Sequence, residues 1–159
     1  MAVICTLYEG NYHLGLGALV NSLHASGFRG HVYAGHRGDI PPWAEERVRK
    51  NGAGWLFDVS GECTLHFVPL DTALHFNNYK PHWILDLMEK HCPQEKSFFY
   101  FDPDIVVKAR WGFFEEWASH GIAVCEDVNH YLPRHHPVRL AWKKYAARCG
   151  LLVRQELDK

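Results

Sequence analysis

"KSFFYFDPDIVVKAR", residues 96–110, sets four consecutive aromatic residues directly before Asp102-Pro103-Asp104 and then returns to Ile-Val-Val. An apolar run of strand length without polar alternation is the pattern of a strand covered on both faces. The stretch therefore predicts a central strand over 97–101. Pro103 has no amide hydrogen and ends the ladder there. Asp102 and Asp104 then stand at the carboxyl end of the strand, where open α/β sheets bind their ligands. Two such carboxylates repel unless a cation joins them. Oxygen donors of this kind suit Mg²⁺ or Mn²⁺, which commonly take one or two carboxylates and substrate phosphates. A ligand-free Asp-Pro-Asp turn is the competing reading, because both residue types favour turns.

Working outward, the chain alternates strand and helix patterns. "AVICTL" (2–7) reads as a buried strand. "GNYHLGLGALVNSLHASG" (10–27) reads as a helix, with Asn11 as a cap, Leu16, Leu19, Val20 and Leu23 at helical spacing and Gly27 as the stop. "GHVYAG" (30–35) and "TLHFVPL" (64–70) read as strands. "PPWAEERVRKNG" (41–52) opens with prolines and closes near glycine, the punctuation of a helix. "NNYKPHWILDLMEKHC" (77–92) reads as a helix with Pro81 in its first turn. Trp83, Ile84 and Leu87 are its core contacts. Beyond the aspartates, 105–107 is extended, 111–121 helical, 122–128 a strand and 137–150 a helix, with "VNHYLPRHHP" (128–137) as an exposed loop. Trp111, Phe113, Phe114 and Trp117 read as the face with which the 111–121 helix covers the sheet. The alternation argues for an α/β fold with a mostly parallel central sheet.

Composition narrows the function classes. The chain has 159 residues, 47% hydrophobic and 22% charged, which fits one globular domain. With 17 basic and 18 acidic residues, nothing in its charge points to nucleic acid as a partner. No stretch is long and apolar enough to span a bilayer. The five cysteines are scattered and contain no C-x-x-C, so a reducing cytoplasm is the simpler expectation than a disulfide scaffold. Oligomeric state is not encoded in any pattern.

Three quoted segments together resemble a known family. "FFYFDPDIVV" resembles the hydrophobic-strand D-x-D motif of nucleotide-sugar glycosyltransferases with the GT-A fold. "YKPHWILDLM" is similar to the Lys-Pro helix that precedes the metal motif in many bacterial members of the lipopolysaccharide galactosyltransferase and glycogenin group. "TLYEGNYHLGLGALVNSLHASG" resembles their first strand, nucleotide loop and first helix. The likeness runs in order from residue 2 to about 127.

The resemblance implies a three-layer α/β/α, Rossmann-like fold. It implies that Leu7, Glu9, Asn11 and Tyr12 hold the base and ribose of a nucleotide-diphospho-sugar, a UDP-sugar in the first instance, with Tyr12 stacked on the base. Lys80 would lie near the donor phosphates or sugar. Asp102 and Asp104 would ligate Mn²⁺ or Mg²⁺, with Asp102 also at the donor. The acceptor, whether glycan, lipid or protein, is unspecified. Family members continue past this length into an acceptor-binding half, often with a late metal-ligating histidine. No histidine follows His136 here. The expectation is a single donor-binding domain over 1–159 whose acceptor-binding part is missing.

Other signals compete. "GLGALV" (15–20) approaches the dinucleotide fingerprint, but Val20 replaces the third glycine and the pair lies inside a helical pattern. Gly15 and Gly17 are read instead as permitting close helix packing. Haloacid-dehalogenase-type phosphatases also place D-x-D after an apolar strand. They usually do so near the N-terminus and with a threonine where this chain has Val106. A sugar-nucleotide-binding domain without transfer activity is the third reading. Among the twelve histidines, His13, His66 and His135-His136 are candidate metal ligands by type, but with no ligand spacing around them they read as packing or surface residues. Glu126 and Asp127 are read as a strand-end turn.

Overall fold

The computed structural model describes residues 2–124 and 135–150. They fall into two compact units, 1–121 and 122–159. The first is an α/β unit built on a six-stranded mixed sheet. In chain order it contains β1 (Ala2–Glu9), α1 (His13–Ala25), β2 (Gly30–Arg37), β3 (Val48–Asn51), β4 (Gly54–Ser60), β5 (Cys63–Pro69), α2 (Phe76–Asp86), β6 (Ser97–Tyr100) and α3 (Trp111–Ala118). Sheet order is β3-β4-β5-β2-β1-β6. The run β5-β2-β1-β6 is parallel, and β3-β4-β5 is an antiparallel meander. No described helix is long and apolar enough to cross a membrane.

Helices cover both faces of the parallel strands, so these strands need no polar alternation. On one face Leu16, Leu19, Val20 and Leu23 of α1 and Trp111 of α3 pack with Ile4, Val32, Ala34, Leu65 and Phe67. On the other, Trp83 and Leu87 pack with Val3, Cys5, Leu7 and Tyr33. Ile84 packs against that cluster as expected. In α3, Trp111 is buried and Phe114 packs on the core, but Phe113 and Trp117 are exposed.

The aromatic strand carries one correction. β6 is covered on both faces: Phe99, and Phe101 just after the strand, join the first cluster, Phe98 and Tyr100 the second. It is not central, however. Among the described residues it is an edge strand, paired only with β1, and its residues are half-buried. β1 is the strand buried nearly throughout. An apolar run reports coverage by helices, which differs from having a neighbour on each side.

The second correction concerns 41–52, where no helix forms. Ala44 N–H donates to the Pro41 carbonyl in a turn, Glu45–Arg47 makes a short 3-10 turn, and β3 follows. β3 and β4 form a hairpin through Asn51-Gly52-Ala53-Gly54, with Gly52 at φ +57°. A left-handed glycine serves a helix stop and a hairpin turn equally. Asn-Gly is a strong hairpin signal, and Trp55 and Phe57 beyond it supply the β4 surface.

Smaller differences lie in the helices. Asn11 caps nothing: it is exposed in the 3-10 turn Gly10–Tyr12, and α1 starts without a side-chain cap. α2 begins at Phe76, capped by His75 Nδ1, which accepts from Asn77 N–H at 3.2 Å. Pro81 therefore lies beyond the first turn and removes the donor that the Asn77 carbonyl would otherwise receive. After α2 the chain widens into a π-type turn over Leu87–His91, closed by Cys92 N–H donating to the Leu87 carbonyl at 2.7 Å.

In the second unit, α4 (Pro137–Arg148) has proline in its first turn and His136 Nδ1 accepting from Val138 N–H at 3.3 Å. Residues 122–124 form no strand. The remainder of the strand expected over 122–128, including Cys125, Glu126 and Asp127, and most of the loop 128–137 lie outside the described residues. Cys5, Cys63, Cys92 and Cys149 are free thiols. Burial pushes Cys63 up to about 11 and, with Cys92 nearby, Cys5 up to about 12.

Candidate functional site

The parallel strands β1 and β6 end side by side, because Cys5 pairs with Tyr100 in register. Phe101 N–H extends the ladder by donating to the Cys5 carbonyl at 3.1 Å. The chain then turns at Asp102, whose carbonyl accepts from Ile105 N–H at 3.1 Å. The turn lies hard against α1. A Cβ on Gly15 would sit 2.6 Å from the Pro103 carbonyl oxygen, so only glycine permits this approach. Gly17 is different: a Cβ there would make an ordinary contact with Trp43. Ser22 Oγ accepts from Val107 N–H at 2.9 Å and ties the outgoing segment to the same helix.

A cleft of about 240 Å³ opens at these strand ends. Of the seven residues nominated from sequence, Leu7, Glu9, Tyr12, Lys80, Asp102 and Asp104 line it, and Asn11 does not. Tyr12 is 58% exposed, so its ring has a free face. The lining also includes His75, Phe76, Asn77 and Tyr100, which sequence reasoning did not select.

Asp102 already meets a positive group. Lys80 Nζ lies 2.6 Å from Asp102 Oδ1, and Tyr100 Oη donates to the same oxygen at 3.1 Å. Lys80 Nζ also stands 5.0 Å from the Tyr100 ring centroid. Burial first, then the Asp102 charge, holds the Tyr100 phenol above its ordinary value, so it stays a donor. Among the described residues, no hydrogen bond or ion pair engages Asp102 Oδ2 or the exposed carboxylate of Asp104.

That donor set fits an oxygen-preferring divalent ion in kind and number: two carboxylates with uncommitted oxygens lining one cleft. Among the described residues no group of three His, Cys, Asp or Glu side chains forms, which leaves the other positions to water or ligand.

A second pair braces the cleft from the β1 side. Glu9 and Arg37 are opposite in register, and Arg37 Nη2 lies 2.7 Å from Glu9 Oε2. Arg37 Nη1 donates to the carbonyls of Thr72 at 3.2 Å and Leu74 at 3.4 Å, and its guanidinium lies 4.4 Å from the Phe76 ring centroid. It thereby fixes the segment leading into α2, which carries Lys80. No local signal marks Arg37; its partners lie on β1 and in the segment 72–76, both distant from it along the chain.

No family model, no curated protein and no solved structure matches this chain.

Proposed function

We propose that the cleft binds a nucleotide-diphospho-sugar with a divalent cation, and that the chain is a GT-A-type glycosyltransferase or its donor-binding half. The observation that carries this reading is the meeting of Tyr12, Glu9, Lys80, Asp102 and Asp104 around one cleft at the carboxyl end of parallel strands. The exposed Tyr12 ring offers a stacking surface for a base, and Glu9 offers acceptors for ribose hydroxyls. Asp102 and Asp104 would hold Mn²⁺ or Mg²⁺, whose charge offsets that of a departing diphosphate. Lys80 would exchange its carboxylate partner for a diphosphate oxygen as Asp102 turns to the cation. This exchange conserves ion pairing, so donor binding need not strand a charge.

The test is product analysis with the full chain, Mn²⁺ and a UDP-hexose. Slow release of UDP that requires Mn²⁺ supports donor activation, and Mn²⁺-dependent binding without turnover supports the donor-binding half. Turnover of a generic phosphomonoester with no affinity for the sugar nucleotide would overturn both in favour of a phosphatase.

A further inference from the structure

Away from the cleft, the face covered by α2 holds a cluster of rings that the reading above does not use. His31 is the second residue of β2, six residues and about 20 Å of strand before Arg37. His66 lies on the adjacent strand β5. His66 Nε2 and His31 Nδ1 are 3.0 Å apart, with ring centroids at 5.0 Å and planes at 73°. Tyr33, opposite His66 in register, stacks on its ring at 4.1 Å and 17°. His91, on the π-type turn after α2, brings its ring to 6.1 Å from Tyr33. π-type turns are frequent at functional sites.

We propose that His31 and His66 chelate one late divalent transition-metal ion of the Cu²⁺, Ni²⁺ or Zn²⁺ class. Two nitrogens each ~2.0–2.1 Å from a metal, and ~90–110° apart around it, lie ~2.9–3.4 Å from one another. The observed separation of 3.0 Å falls within that range. Imidazole nitrogen is the donor these ions favour, whereas Mg²⁺ and Mn²⁺ favour oxygen. Both donors sit on hydrogen-bonded neighbouring strands and Tyr33 stacks on the His66 ring, so the rings need only turn out of their shared hydrogen bond for both lone pairs to meet one ion.

The proton now shared between the two nitrogens moves to the outer nitrogen of its own ring. Both imidazoles stay neutral, no proton is released, and the complex carries the metal's charge. Among the described residues no three ligating side chains form a ready shell, so water completes the coordination. The site is independent of the cleft and prefers a different class of ion.

The experiment is a Zn²⁺ titration of the full chain at pH 7, followed through the ring-nitrogen resonances of each histidine. His31 Nδ1 and His66 Nε2 should shift first and saturate near one equivalent. Outer-shell partners of a metal are themselves worth about 10- to 100-fold in affinity, so His31→Gln, at an exposed position, should weaken the site at least tenfold. The proposal is overturned if these two rings titrate no earlier than the exposed His82 and His120. It is equally overturned if His31→Gln leaves the curve unchanged.

Discussion

The two ends of the parallel strands handle their polar groups in opposite ways. At the carboxyl ends the groups are charged and paired, Glu9 with Arg37 and Asp102 with Lys80. Toward the amino ends they are rings, with His31, His66 and Tyr33 stacked and edge-on to one another. Within the charged end the two pairs differ again. Arg37 is held by a carboxylate, two backbone carbonyls and an aromatic face. Lys80 is held by one carboxylate and lies beside one ring. The first arrangement is a brace. The second is a pair that a competing anion and cation can separate, which is what a ligand site requires.

The hardest blow to the charged end is steric. Gly15→Val would drive a side chain into the backbone of the Asp-Pro-Asp turn. Overpacking of this kind costs about 1–3 kcal/mol, and denaturant unfolding should show it. The same variant should lose its response to a nucleotide with Mn²⁺, because the turn carries both carboxylates.

Acid should weaken the opposite end first. Burial, with His31 and His91 nearby, lowers His66 to about 4; at the carboxyl end burial lowers His36 as well, by a smaller amount. The folded state then binds fewer protons than the unfolded chain between roughly pH 6.5, the ordinary histidine value, and pH 4. Their contribution is complete above that window and is lost as pH falls through it. Unfolding midpoints should drop from pH 7 to pH 5 by about 1–2 kcal/mol of stability. His66→Gln should flatten the profile, and a profile unchanged by it would remove the contrast between the two ends.

The two ion pairs can then be separated. Arg37→Met should cost about 1–2 kcal/mol, since it frees two carbonyls and a carboxylate that only water can then satisfy. Lys80→Met should cost less than about 1 kcal/mol, as partly exposed pairs usually do, yet abolish the nucleotide response. Equal destabilisation by the two would show that Lys80 is a brace as well.

Much of this arrangement was legible in the residues. The 97–101 run, the turn after it and the helix bearing Lys80 announce themselves by local pattern, and six nominated residues do line one cleft. What was lost was lost for identifiable reasons. An apolar run says that β6 is covered, not how many strands flank it. Gly52 fits a helix stop as well as a hairpin, so β3 and β4 were read through. Arg37 acts on positions 9, 72, 74 and 76, and His31 meets His66 only through the β2–β5 register. Such couplings leave no trace in short-range spacing.

The central claim is that Asp102 and Asp104 hold a divalent ion against a nucleoside diphosphate. Thermal unfolding of the full chain with UDP, with and without Mn²⁺, tests it in the wild type and in Asp104→Asn. The account predicts stabilisation only when UDP and Mn²⁺ are both present, reaching about 2.7 kcal/mol at a hundredfold excess over Kd, and none in Asp104→Asn. An equal shift without Mn²⁺, a shift retained in Asp104→Asn, or no shift in the wild type would contradict it.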